Sequence, residues 1–280
     1  MSATIDPIAT EVKTAEAATR PRRRRRTGPS RWLVYLGRIG LMVVTLGLWE
    51  IASRQGWIDP TLFGRPSGIA SAFVDYVPSD RGIESLKATG FAILVTFVIG
   101  SILGTVAGLI LGLSRTLNEI VGPFLAPINS IPRIALAPLF IAWFGLTTTA
   151  KVVLGVSIVF FILAENARSS VRSVDADLMT MARVVGLRRT SLLWKVVLPS
   201  AVPTMFAGLR LTFTYSLLGV IASEMIAATS GIGQDIVLFS SSYQINTVFA
   251  ILVELMVIAV AVNWVFARAE RRLLVWQLQN

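Results

Sequence analysis

Residues 88–113 form a run of 26 with no charged side chain. About 20 apolar residues in a helix suffice to cross the hydrocarbon core of a bilayer. Gly100, Gly104, Gly108 and Gly112 recur at every fourth position of the run. Glycines so spaced share one helix face and let a second backbone approach closely. The run therefore predicts a membrane helix packed through its glycine face, in a chain built as a bundle of such helices. Composition agrees, with 54% hydrophobic and 15% charged residues against about 25% charged in soluble domains. A surface this apolar needs lipid as its solvent.

Five more apolar segments accompany the first, at about 33–52, 122–146, 148–164, 201–225 and 248–267. The expected fold is an all-α integral membrane protein with about six transmembrane helices. A disordered basic tail occupies 1–31 and the membrane domain 32–280. The Arg22 to Arg26 run ahead of an apolar segment also looks like a twin-arginine signal. The segment exceeds the usual signal core of about 7–15 residues, however, and no small-x-small cleavage site follows it. It reads as an uncleaved helix. The 53–87 stretch is a polar connection with a short amphipathic piece near Ile69 to Tyr76. The 122–146 segment is interrupted by Pro127, Pro132 and Pro138, with Ser130 and Arg133 between them. Proline removes a backbone donor and kinks a helix. A broken helix at membrane depth is tolerated where it is buried in protein or lines a water-filled path.

Charge sets the orientation. With the N-terminus inside, 18 Lys and Arg fall on the cytoplasmic side: eight in the tail, Arg115, six from Arg168 to Lys195, and Arg268, Arg271 and Arg272. Five fall outside (Arg54, Arg65, Arg81, Lys87 and Lys151), and Arg38, Arg133 and Arg210 lie within apolar segments. This bias predicts both termini in the cytoplasm, and the tail reads as a topology signal rather than a nucleic-acid arm.

Several chemistries are excluded. Without Cys or His there is no thiolate or imidazole nucleophile, no Ser-His triad and no ordinary zinc site. Neither a GxxxxGK[ST] loop nor a GxGxxG turn occurs, so no nucleotide pocket is legible. The chain reads as a non-enzyme that binds no cofactor or metal itself.

The stretch 165–200 is longer than the roughly 2–8 residues a compact helix connection needs. Its centre, 176–185, reads as a short helix stopped by Gly186, and Pro199 and Pro203 mark entry to the next span. A short helix at the tip of a bundle suits docking into a groove of a soluble partner; lying on lipid headgroups is the alternative.

At residues 180–186, Thr-Met-Ala-Arg-Val-Val-Gly, followed by Val197-Leu198-Pro199 and Gly208-Leu209-Arg210, the chain resembles the EAA loop of bacterial ABC importer permeases. Ala182, Gly186, Leu198 and Pro199 match; Thr180 and Met181 stand where Glu and Ala are usual. Phe63-Gly64-Arg65-Pro66-Ser67, the 131–139 stretch with Trp143-Phe144-Gly145, and Glu224 to Gly233 resemble further segments of the nitrate/sulfonate/taurine-type branch. The resemblance implies an inner-membrane permease forming the path for a small anionic solute. It implies a second permease copy, two cytoplasmic ATPase subunits holding ATP and Mg, and an extracytoplasmic solute-binding protein, with no nucleic acid. Asp177, Thr180, Met181, Ala182, Arg183, Gly186, Leu187, Leu198 and Pro199 would then form the ATPase-coupling surface, Met179 and Met181 supplying soft packing.

Ionisable groups inside membrane segments are costly and are functional candidates by default. Arg133 and Arg210 are accordingly candidates for an anion path, with Ser130 and Pro132 beside the break. Glu224 suits a gate or a structural hydrogen bond, and Glu254 needs a partner. A secondary transporter or channel is the rival class, although no repeated half with paired broken helices is visible.

Overall fold

The computed structural model describes residues 31–174 and 176–273; the tail with Arg22 to Arg26 lies outside these residues. Every regular element among the described residues is helical. Two compact units meet between Leu48 and Trp49. The first holds most of α1 (Arg31–Arg54), a single apolar span.

The second unit begins in the last turns of α1 and continues through α2 (Pro60–Phe63), α3 (Pro66–Tyr76), α4 (Asp80–Leu113) and α5 (Arg115–Asn129). A 3-10 turn (Arg133–Leu136) leads into α6 (Ala137–Phe144) and then α7 (Thr148–Arg172). There follow α8 (Ala176–Val184), α9 (Arg189–Leu192), a π-helical turn (Leu193–Val197), α10 (Leu198–Ala227), α11 (Ile232–Ser241) and α12 (Ile245–Leu273). Among the described residues five helices are long and apolar enough to cross a membrane. The bent pair of α5 with the 3-10 turn and α6 makes a sixth, turning by 82°. We call this pair the elbow.

Hydropathy marks the apolar part of a helix and misses the turns that stand in water. Thus α4 starts at Asp80 rather than 88, because the Ser79 hydroxyl accepts a hydrogen bond from the Gly82 N–H and caps it. Likewise α7 runs past 164 to Arg172, with Arg168 and Glu165 paired on its surface at 2.8 Å. Most of the stretch expected to be a loop at 165–200 is therefore helical. The third span, expected as one interrupted helix at 122–146, is two helices joined by a sharp turn. Pro123 and Pro127 lie inside α5, and Ser130 follows it as the C-cap.

The core is a stack of α4, α7 and α10. A Cβ added to Gly100, Gly104, Gly108 or Gly112 would come within 3.0 Å of, respectively, Val159, the Phe160 carbonyl, the Ala164 carbonyl and Val171. The glycine face of α4 thus lies directly on α7. On the other flank of α7, Gly155 Cα would be 3.3 Å from a Cβ on Gly219, and Gly208 lies against Asn166 and Leu163. Small residues here replace the greasy side chains of a soluble core, since in lipid close packing rather than water exclusion holds helices together. Phe97 meets Phe213 and Phe266 edge-on at 5.8 Å, Phe213 and Phe266 lie tilted at 5.9 Å, and the three tie α12 to the stack.

Candidate functional site

The elbow turns at Arg133. Its guanidinium donates to the carbonyls of Ser157 and, at 3.1 Å, Ile128, and to Asn129 Oδ1 at 3.3 Å. It also lies 3.9 Å over the Phe161 ring. These partners are neutral, and among the described residues no carboxylate forms an ion pair with Arg133. The side chain borders a groove of about 410 Å³ walled by Asn129, Ile158, Ile162, Leu211, Tyr215 and Leu218. A second cavity, about 180 Å³, lies between α5 and α7 beside Leu125, Phe161 and Arg168. Within the elbow α5 therefore stands off α7, held at one end by Arg133 and near its start by Arg168 donating to Asn118 Oδ1 at 2.9 Å, whereas the 3-10 turn and α6 pack on α7. Ser130 Oγ donates back to the Ala126 carbonyl and Pro132 precedes the 3-10 turn, so both shape the bend. Arg210 lies elsewhere: its Nε donates to Asn263 Oδ1 at 2.9 Å, joining α10 to α12 outside the groove.

Glu224 is also away from the groove. It is 1% exposed, and its carboxylate takes Lys151 Nζ at 3.0 Å, Thr89 Oγ1 at 2.9 Å and the Gly233 N–H at 3.0 Å. Lys151 Nζ also donates to the Ser230 carbonyl at 2.5 Å, and the Ile232 N–H donates to Thr89 Oγ1 at 2.8 Å. Gly231 has φ +122, and a Cβ there would collide with the Glu224 carboxylate. Glycine alone lets the backbone wrap this acid, and the acid in turn faces the amino end of α11, where helix dipoles favour negative charge. Of the two roles expected for Glu224, a gate or a structural hydrogen bond, this geometry has the second: a buried hub joining α4, α7, α10 and α11. Lys151, expected on the outer surface, is buried with it.

A second acid secures α11. Asp235, 1% exposed, accepts from Tyr76 Oη at 2.7 Å, Arg81 Nε at 2.8 Å and Ser85 Oγ at 2.5 Å. Burial and the neighbouring Asp235 push the Tyr76 hydroxyl far above the usual phenol range, so it remains a donor. Sequence reasoning missed α11 and this hub. The available signal was an acid, Asp235, amid the apolar Ile232 to Phe239, which needs donors if buried.

At the opposite end, α8 ends as expected. Gly186 has φ +74, and the Leu187 N–H closes back on the Ala182 carbonyl at 3.1 Å. This is a glycine-stopped helix end. Met181, Val184 and Val185 are 65%, 82% and 69% exposed, and Asp177 and Thr180 are exposed beside them. Ala182, by contrast, is buried. Its small side chain lets α8 sit on this chain itself instead of sinking into a partner. Arg183 lies on α8, Leu187 follows Gly186, and Leu198 and Pro199 open α10, Pro199 in the first turn where its missing N–H costs nothing.

Residues 90–275 match the family model described as binding-protein-dependent transport system inner membrane component. The chain belongs to this family: it is a multi-pass inner-membrane permease subunit of an ABC importer, and ATP hydrolysis resides in separate subunits. Membership implies ATPase partners and a binding protein. Among curated relatives, the putative aliphatic sulfonates transport permease protein SsuC of Escherichia coli (strain K12) is 34% identical over 74% of this chain and 79% of its own length. The SsuC of Bacillus subtilis (strain 168) is 28% identical over 94% and 93%. The taurine transport system permease protein TauC of Escherichia coli (strain K12) is 27% identical over 85% and 88%. A solved bacterial ABC transporter involved in import of the acidic polysaccharide alginate shares the fold, with a TM-score of 0.63 at 14% identity over 95% of this chain and 99% of that one.

Proposed function

We propose that this chain carries a small organic anion, of sulfonate or taurine type, through the groove at Arg133, and that the α8 surface receives the ATPase. The observation that carries the reading is a guanidinium without a carboxylate partner, facing a groove with apolar walls at membrane depth. Such a cation attracts an anionic head, while Ile158, Ile162, Leu211 and Leu218 accept a short carbon tail. Two copies of the chain facing each other would join two grooves into one path. The relatives' sulfonate and taurine substrates support the choice of solute.

Coupling follows from the other end. Met181, Val184 and Val185 form an exposed apolar face on a helix that Gly186 stops and Ala182 seats. From α8 the chain passes through α9 and the π-helical turn into α10, which walls the groove. A push on α8 therefore reaches the path over one short connection. The ATPase subunits, two per complex, supply ATP and Mg; this chain supplies shape and charge. The binding protein delivers solute at the outer end, where an open groove of about 760 Å³ runs between α3 and the Tyr243 turn.

The test is uptake into proteoliposomes holding the complete complex. Arg133→Ala should cut uptake by roughly tenfold or more, the scale of a lost charged hydrogen bond, with the ATPase still bound. Arg133→Lys should restore part of it, since charge remains without the planar fork. Unchanged uptake in Arg133→Ala removes the groove as the path.

A further inference from the structure

We propose that Lys151 and Glu224 form a permanent fastener between α7 and α10, so that the groove opens by movement of the elbow and not by separation of these helices. The inference rests on the Arg133 groove being the path.

The groove has two walls in the core stack, Ile158 and Ile162 from α7 and Leu211, Tyr215 and Leu218 from α10. Lys151 lies two turns before Ile158, and Glu224 about a turn and a half after Leu218. The ion pair thus bridges the two walls just beyond one end of the groove, the outer end by the charge bias. A contact here is either a gate that breaks in each cycle or a fastener that never does.

Burial decides between them. The Lys151 and Glu224 side chains are 5% and 0% exposed. Both carboxylate oxygens accept hydrogen bonds, and Nζ has a carbonyl besides its acid. Separating such a pair strands two desolvated charges, among the most destabilising events in a protein interior, and a fully satisfied polar network is rigid. There is no slack around it either. Gly231 and Gly233 press on the Glu224 side chain with no room for a Cβ, and further along the helices Gly155 and Gly219 meet backbone to backbone. The elbow differs in each respect. Its 3-10 turn and α6 pack on α7 and α10, but cavities of about 410 and 180 Å³ adjoin α5, which neutral acceptors and the Asn118 amide hold. Both of these cavities lie on the α5 side of α7.

The chain contains no Cys, so paired spin labels can be placed without background. In the full complex in lipid, with one labelled copy of this chain, labels go on Thr149→Cys and Ile226→Cys, exposed at the outer ends of α7 and α10. A second sample carries Thr149→Cys and Phe124→Cys, the latter exposed on the elbow. The first distance should be the same in nucleotide-free and ATP-bound complexes, and the second should change. A changed first distance or an unchanged second one overturns the proposal. The Lys151→Met/Glu224→Gln double variant supplies a functional arm. It should bind solute with a several-fold higher KM at retained turnover and show no leak of solute without ATP; an ATP-independent leak means the pair is a gate. If Arg133→Ala leaves uptake intact, the path reading fails while the distances still judge the fastener.

Discussion

Helix α7 presents two unlike surfaces. Towards α4 and α10 it meets glycines, and neighbouring backbones come so close that a single added methyl group finds no space. Towards the elbow it presents Ile158, Phe161 and Ile162, and cavities remain between. Glycine lets helices lock by backbone contact, whereas large side chains hold a partner at a distance that can vary. One helix thereby serves as the frame on one side and as the wall of an adjustable path on the other.

The contrast can be tested most severely at the outer end of the frame. Lys151→Met leaves Glu224 buried without a counter-charge and should cost about 3–5 kcal/mol, seen as a large drop in melting temperature and folded yield. An unchanged melting temperature would mean the pair carries no structural weight. Next in size is Gly108→Leu, where the side chain meets the Ala164 carbonyl and Ala167; overpacking of this kind costs about 1–3 kcal/mol. Gly90, on the same helix with nothing within 4 Å of its Cβ position, provides the control. Gly90→Ala should be neutral or gain up to about 1 kcal/mol, and equal losses at both sites would break the distinction between glycine faces.

Smaller effects are expected away from the frame. Val184→Glu changes an exposed residue and should leave folding within about 0.5 kcal/mol while releasing the ATPase subunit in co-purification. Retention of that subunit would move the coupling surface elsewhere. Ala126→Leu, which fills part of the 180 Å³ cavity, should alter stability least and slow uptake by restraining the elbow. Full-speed uptake would show that this cavity does not serve movement.

Much of the frame was legible in the sequence, because its signals are local. Charge-free length marks a span, glycine every fourth residue marks a close face, and a glycine after a short amphipathic run marks a helix stop. Partnerships between distant segments were not legible. Nothing in the neighbourhood of Lys151 indicates that its acid lies at 224, so it counted as an outer surface charge. Ala182 reads as a contact for a partner until the chain is folded, when it faces inward. The prolines announced a break near 130 but not its 82° angle, which depends on where Arg133 finds its acceptors on α7.

The Lys151–Glu224 pair also orders the making of the protein. The two residues are separated by 73 positions, so during synthesis the lysine enters the membrane well before its acid exists. In the first turn of α7 it can reach the headgroups meanwhile. Only when α10 has been threaded through does the cation draw inward, and only then can Gly231 fold over the acid. A nascent chain cut short before Leu198 keeps an unneutralised ammonium at its outer face. Completeness of the polypeptide is thus written in a single charge, visible to the membrane's proteases and chaperones until the last third of the chain conceals it.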